Sequence, residues 1–139
     1  MDLPLEITDI AIERGTILHS DIFADIDHGK FFVIIGVDED YVAGFFFINS
    51  NINKAIWNKQ EQFEMQYPMR PCDYAFLHRD SFLCATNIIT RTRNELSESI
   101  QDKRTTVVGK MQEHHLNEVL ELVRNSKLFS KIEKTRFFY

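Results

Sequence analysis

The sequence predicts a mainly β domain: a compact antiparallel barrel of about six strands with a C-terminal helix packed on it. Three observations lead there. Residues 31–36 (Phe-Phe-Val-Ile-Ile-Gly) and 41–48 (Tyr-Val-Ala-Gly-Phe-Phe-Phe-Ile) are apolar runs split by Asp38-Glu39-Asp40. Such runs, rich in Val, Ile and Phe, suit central strands covered on both faces. The remaining strand candidates follow as hairpins with short links rather than alternating with helices, which disfavours a parallel sheet. Near the end, Leu116, Val119, Leu120 and Val123 fall at i, i+3, i+4 and i+7, the stripe of a helix facing a core.

The elements are justified in chain order. Residues 1–13 form an N-terminal extension with an apolar rhythm (Leu3, Leu5, Ile7, Ile10, Ile12), and residues 14–139 form the domain. Residues 15–20 read as a strand, and 21–29 as an Asp-rich loop leading into the hairpin. Residues 49–58 are Asn-rich and polar, the composition of a surface loop, and they hold Trp57, the single tryptophan. Residues 62–67 alternate polar and apolar, which predicts a half-buried strand ended by Pro68 and Pro71. Residues 74–77 and 81–86 read as a strand pair split at His78-Arg79-Asp80, the second continuing to Arg91. Thr92 with Glu95 three residues on fits a capping box, so a helix is expected over 93–100. Residues 105–109 suggest a small strand, and Leu128, Phe129 and Ile132 a last short turn.

Composition narrows the function. A chain of 139 residues is expected to be one domain with one real core. Hydrophobic residues at 44% and charged residues at 27% mark it as globular rather than disordered. The 12 Phe point to an aromatic core. A net charge of −5 argues against a broad footprint for duplex DNA but leaves room for a local basic groove. Cys72 and Cys84 are too few for a disulfide scaffold and lack metal-ligand spacing, so reduced, buried thiols are expected. His114 and His115 are neighbours on a helix and point about 100° apart, which offers no shared metal face. The start of the chain lacks the basic and apolar regions of a signal peptide, and no run approaches a membrane span. Cytoplasmic location without membrane association is the expectation. P-loop, Gly-x-Ser-x-Gly, His-Glu-x-x-His and dinucleotide signatures are missing.

The polar ends of the central hairpin carry the functional reading. Lys30 opens its first strand and Asn49-Ser50 closes its second, so Lys30 and Ser50 can converge on one mouth as a phosphate-handling cation and hydroxyl. His28, one loop residue away, can carry a proton. Trp57 can stack a base. Arg91 and Arg93 alternate at a strand end, share a face there, and can line a groove or dock an acidic partner.

The order of these parts resembles the MazF/PemK (Kid) family of toxin endoribonucleases. Arg14-Gly15-Thr16-Ile17 is similar to the family's opening Arg-Gly-Asp-Ile strand. Residues 29–35 resemble its loop and Val/Ile-rich strand, and residues 80–96 its strand ahead of an Arg-Thr-(Ile/Val)-Asp-Lys-x-Arg-Leu segment. Val108-Gly109-Lys110-Met111 resembles its Ile-Gly-Lys-Leu before the final helix. The resemblance covers about residues 14–126. It implies an SH3-like barrel, a homodimer, and cleavage of single-stranded RNA with no metal or cofactor, leaving a 2′,3′-cyclic phosphate. A cognate antitoxin protein is the implied partner. The family's catalytic arginine falls on Lys30, and its catalytic threonine or serine on Ser50, with Asn49 beside it. His28 supplies the proton carrier, while Arg91 and Trp57 hold the strand. Two positions depart from the pattern: Lys30 replaces arginine and so lacks its bidentate fork, and Phe31 stands where the family has proline. The alternative expectation is therefore a catalytically inactive relative acting as a binding or regulatory module.

Overall fold

A computed structural model of the chain describes residues 12–23, 29–52 and 58–139. His28, Trp57 and residues 1–11 of the expected extension lie outside them. Seven strands form one antiparallel sheet: β1 Thr16–Ser20, β2 Lys30–Val37, β3 Val42–Asn49, β4 Gln66–Met69, β5 Ser81–Cys84, β6 Ile89–Thr92 and β7 Thr105–Lys110. Among the described residues four helices accompany them: α1 Gln60–Glu64, α2 Arg93–Gln101, α3 Glu113–Arg124 and α4 Lys131–Phe137.

The expected hairpin is the centre of the sheet. β2 and β3 pair from Phe31↔Ile48 to Val37↔Ala43. The order β4-β5-β3-β2-β1-β7 places β4 and β7 at opposite ends. Among the described residues the sheet is therefore open, and the closed barrel of the sequence reading is corrected to an open antiparallel sheet. The second edge of β3 is shared: Val42–Phe45 pair with β6, and Ile48–Asn49 with β5. One long strand serves two short ones, and this divided pairing replaces closure.

Both faces of the hairpin are buried, as its continuous apolar runs require. Phe32, Ile34 and Phe45 face one way and pack with Leu18, Leu96 and Ile100 beneath α2. Val33, Ile35 and Phe46 face the other and pack with Val119, Val123, Phe137 and Phe138 of α3 and the C-terminal segment. The α3 stripe predicted from Val119, Leu120 and Val123 is buried. The capping box is present: the Glu95 N–H donates to Thr92 Oγ1 at 3.1 Å, and the Thr92 N–H to Glu95 Oε1 at 3.2 Å. A second capping box, Ser130 with Glu133, starts α4 where only a short turn was expected.

Three local expectations are corrected. Residues 62–67 divide between α1 and β4, and β4 carries Pro68 in its middle. As the terminal strand of the sheet, β4 can hold a residue that has no N–H. Residues 74–77 form turns, with Tyr74 N–H donating to Arg70 O and Leu77 N–H to Tyr74 O, both at 3.0 Å. Arg91 and Arg93 do not share a strand face, because capping at Thr92 makes Arg93 the first residue of α2. Arg91 stands over the Phe23 ring, Arg93 over Tyr41. Cys72 is exposed in the turn after Pro71, and Cys84 is half-buried beside Gln66 and Thr86.

The C-terminal segment is seated on a gap between two glycines. Gly36 and Gly44 face each other across β2 and β3. A Cβ at Gly44 would lie 2.7 Å from the Phe137 ring, and one at Gly36 would overlap the Phe137 carbonyl. Arg14 donates from Nε to Ile35 O at 2.7 Å, and from its terminal nitrogen to Phe137 O at 3.0 Å and Tyr139 O at 3.1 Å. Arg124 Nε donates to Phe138 O at 2.6 Å. Asp38, in the β2–β3 turn, accepts from the backbone of Asp40 and Val42 at 2.9 Å and from Arg136 of α4 at 2.7 Å.

Two outcomes are expected. Gly36→Ala lowers unfolding stability by about 1–3 kcal/mol, since the methyl group has no free volume; an unchanged urea midpoint would show that Phe137 is not seated there. Asp38→Ala costs about 1.5–3 kcal/mol at neutral pH through lost hydrogen bonds to a charged group. Desolvation raises the Asp38 pKa, but the Val42 N–H, Arg136 and the Asp40 N–H together hold it below its ordinary 3.8. Its contribution is thus complete above about pH 4 and is lost as pH falls through the lower folded value. Wild type and Asp38→Ala should therefore converge in stability in acid.

Candidate phosphate-binding pocket

The strand pairing itself assembles the site. β1 meets β2 at Ser20↔Lys30, and β2 meets β3 at Phe31↔Ile48, so Lys30 lies opposite Asn49 where the hairpin strands end. Alternation then separates neighbouring side chains. Lys30 falls on the Phe32 face and Phe31 on the Val33 face, so the strand end presents a cation on one side and a ring on the other. The Lys30 amine donates to Asn49 Oδ1 and stands 5.4 Å from the centre of the Phe47 ring. Burial holds the Lys30 ammonium below its ordinary value of 10.5, with Cys84 pulling weakly the other way.

A pocket of about 570 Å³ opens at this end of the sheet. Lys30, Asn49 and Ser50 line it, so the structure brings three of the predicted residues together. The other wall is the segment before β5, which contributes Phe76, His78 and Arg79. Phe31 and Phe76, both half-buried, pack with ring centres 4.9 Å apart. On the far side of Phe31 lies His19, at 4.6 Å. Gly29 allows that arrangement, since a Cβ there would run into the His19 ring.

Among the described residues lining the pocket there is no carboxylate, although the chain carries a net charge of −5. Lys30 and Arg79 supply two positive charges. A second cleft, of about 550 Å³ between α1 and α3, has the opposite character, with Glu61, Glu64, Glu118 and Glu121 around it. The described lining residues thus make the first pocket the more favourable of the two for an anion, even with Lys127 at the second.

Arg91 is not in the pocket. It pairs opposite Ala43, six residues along β3 from Asn49, or about 20 Å at strand spacing. It remains on the Lys30 face, linked by rings: Arg91 lies 5.4 Å from Phe23, Phe23 lies 4.9 Å from Phe47, and Lys30 stands over Phe47. His28 and Trp57 fall outside the described residues. Sequence reasoning missed His78, Arg79 and Phe76 as site residues, treating 78–80 as a turn between strands. The available signal was Arg79 next to a histidine in a short turn, which is ordinary surface composition.

Because its amine is partly desolvated, Lys30 should deprotonate earlier than the exposed lysines as pH rises. NMR of reductively methylated protein tests this: one lysine resonance, lost in Lys30→Arg, should titrate below the rest. Co-titration of every lysine would place the amine in open solvent. In comparisons with known proteins, no family model matches the chain and no curated protein shows significant similarity to it, so the functional reading rests on the pocket itself.

Proposed function

We propose that the pocket binds single-stranded RNA and cleaves it by attack of the ribose 2′-OH on the adjacent phosphate. One observation carries this reading: on an acidic chain, a pocket whose described lining residues include no carboxylate is lined by a cation, a hydroxyl and two half-exposed rings at one strand end. Lys30 faces the phosphate and offsets the charge that grows on the phosphorane oxygens. As a point charge it needs no bidentate geometry for this. Ser50 and Asn49 orient the ribose and the phosphate by hydrogen bonds. Phe31 and Phe76 give a base an aromatic surface, the usual sequence-tolerant grip on a single strand. The substitution of phenylalanine for the family proline at position 31 thus supports binding. Arg91 extends the cationic face along the sheet toward the next part of the strand. The resemblance to the MazF/PemK toxins agrees with this chemistry, and within it a homodimer and an antitoxin that blocks the pocket are the corresponding partners.

The test is cleavage of mixed-sequence single-stranded RNA in EDTA by wild type, Lys30→Ala and Ser50→Ala. Wild type is expected to leave 2′,3′-cyclic phosphate and 5′-OH ends. Lys30→Ala should be slower by about 100-fold or more, the scale for losing one charge stabiliser, and Ser50→Ala slower by a smaller factor. RNA that is retained by wild type but stays intact would end the catalytic reading and leave a binding module, consistent with Lys30 being tied to Asn49.

A further inference from the structure

The geometry points to His78 as the general acid of this pocket, an inference that rests on the ribonuclease reading and adds a residue to it. Cleavage through the 2′-OH forms the O2′–P bond, breaks the P–O5′ bond and leaves a proton to be placed on O5′. The O2′ proton passes to solvent water. The departing O5′ is a poor leaving group and needs a proton donor in the transition state.

The other described groups that line the pocket do not fit that task. Arg79 does not release its proton in the working range. The Ser50 hydroxyl and the Asn49 amide are not acids of useful strength. The Lys30 amine is engaged by Asn49 and stands over Phe47. Among the described residues that line the pocket, His78 alone is a histidine, and none is an Asp, Glu, Cys or Tyr. Histidine is the side chain that changes charge between pH 5 and 8, the range such chemistry needs.

Its placement is fixed from both sides. Leu77 is buried, and its N–H donates to Tyr74 O. The Tyr74 hydroxyl accepts from the Gln112 N–H at 3.1 Å and meets His115 Nδ1 at 2.8 Å, tying the segment to the start of α3. After His78, Ser81 Oγ donates to Arg79 O at 3.0 Å and β5 begins. His78 is thus an exposed side chain on an anchored backbone. The register Asn49↔Phe82, continued by one residue, sets Ser50 opposite Ser81. His78 and Arg79, two and three residues before Ser81, therefore line the same pocket as Lys30 and Ser50.

The test compares two substrates. One is a single-stranded RNA; the other is uridine 3′-(p-nitrophenyl phosphate), whose leaving group departs without a proton. His78→Ala should slow RNA cleavage by about 100-fold or more and slow the nitrophenyl ester by less than about threefold. Added imidazole should restore part of the RNA rate. Because His78 is exposed, the thermal midpoint of the variant should match wild type. Equal losses on both substrates, or full RNA activity in His78→Ala, would overturn the acid role while leaving the ribonuclease reading standing. A wild type inactive on both substrates would overturn both.

Discussion

The seating of Phe137 on the Gly36–Gly44 pair is the contact on which the rest depends. Cross-strand glycines remove two side chains from the middle of the sheet and let a helix end approach the backbone itself. The gain is burial of Phe137 and Phe138, both almost wholly excluded from solvent, with Phe138 against Phe46 and Phe129. Arginines 14 and 124 then bond to the carbonyl groups of the tail, and Arg136 bonds to the hairpin turn. Those carbonyls belong to a helix C-terminus, where intrahelical partners run out and cations are favoured. The central hairpin is thus held at its turn end by the last residues of the chain. Its free end is left to the pocket.

That division has a mechanical meaning for chemistry. Lys30 opens β2 paired with Ser20 of β1, and Asn49 closes β3 paired with Phe82 of β5, with Ser50 the next residue. Groups built on rigid strands hold their geometry better than groups built on loops. The opposing wall is a loop, but its buried anchors Tyr74 and Leu77 belong to the same core as Val33 and Phe46. Both walls therefore share one packing unit. Among the described residues the electrostatics follow the same plan, with four glutamates around the α1–α3 cleft and no carboxylate lining the pocket at the strand end.

Much of this was legible in the chain, and the reasons are specific. The 31–48 hairpin stands out because both faces are buried, which forces a continuous apolar run. The Thr92–Glu95 box and the α3 stripe are local signals that need no knowledge of neighbours. What failed was non-local. Alternation over 62–67 is shared by a strand and by a helix-to-strand junction, and only pairing with β5 decides between them. Residues 74–77 are apolar because they anchor a loop, not because they pair. Among the described residues the sheet is open and one edge of β3 is shared by β5 and β6, an arrangement that no single segment encodes. In the site, Lys30 and Ser50 could be joined because one hairpin carries both. His78 and Arg79 arrive from a different hairpin nearly thirty residues further on, so nothing in the sequence ties them to the mouth.

The glycine seat also sets an order in time. Gly36 and Gly44 leave the ribosome 101 and 93 residues before Phe137, an interval of about 5–20 s at ordinary synthesis rates. During it the hairpin exists without the ring that covers it, and β1 lacks β7, its partner at Thr16↔Lys110. The nascent chain thus presents Val33, Ile35 and Phe46 on an uncovered face until its final segment emerges. Completion of this core waits on Phe137 and Phe138, and the interval before it is when a chaperone would find the most surface to hold.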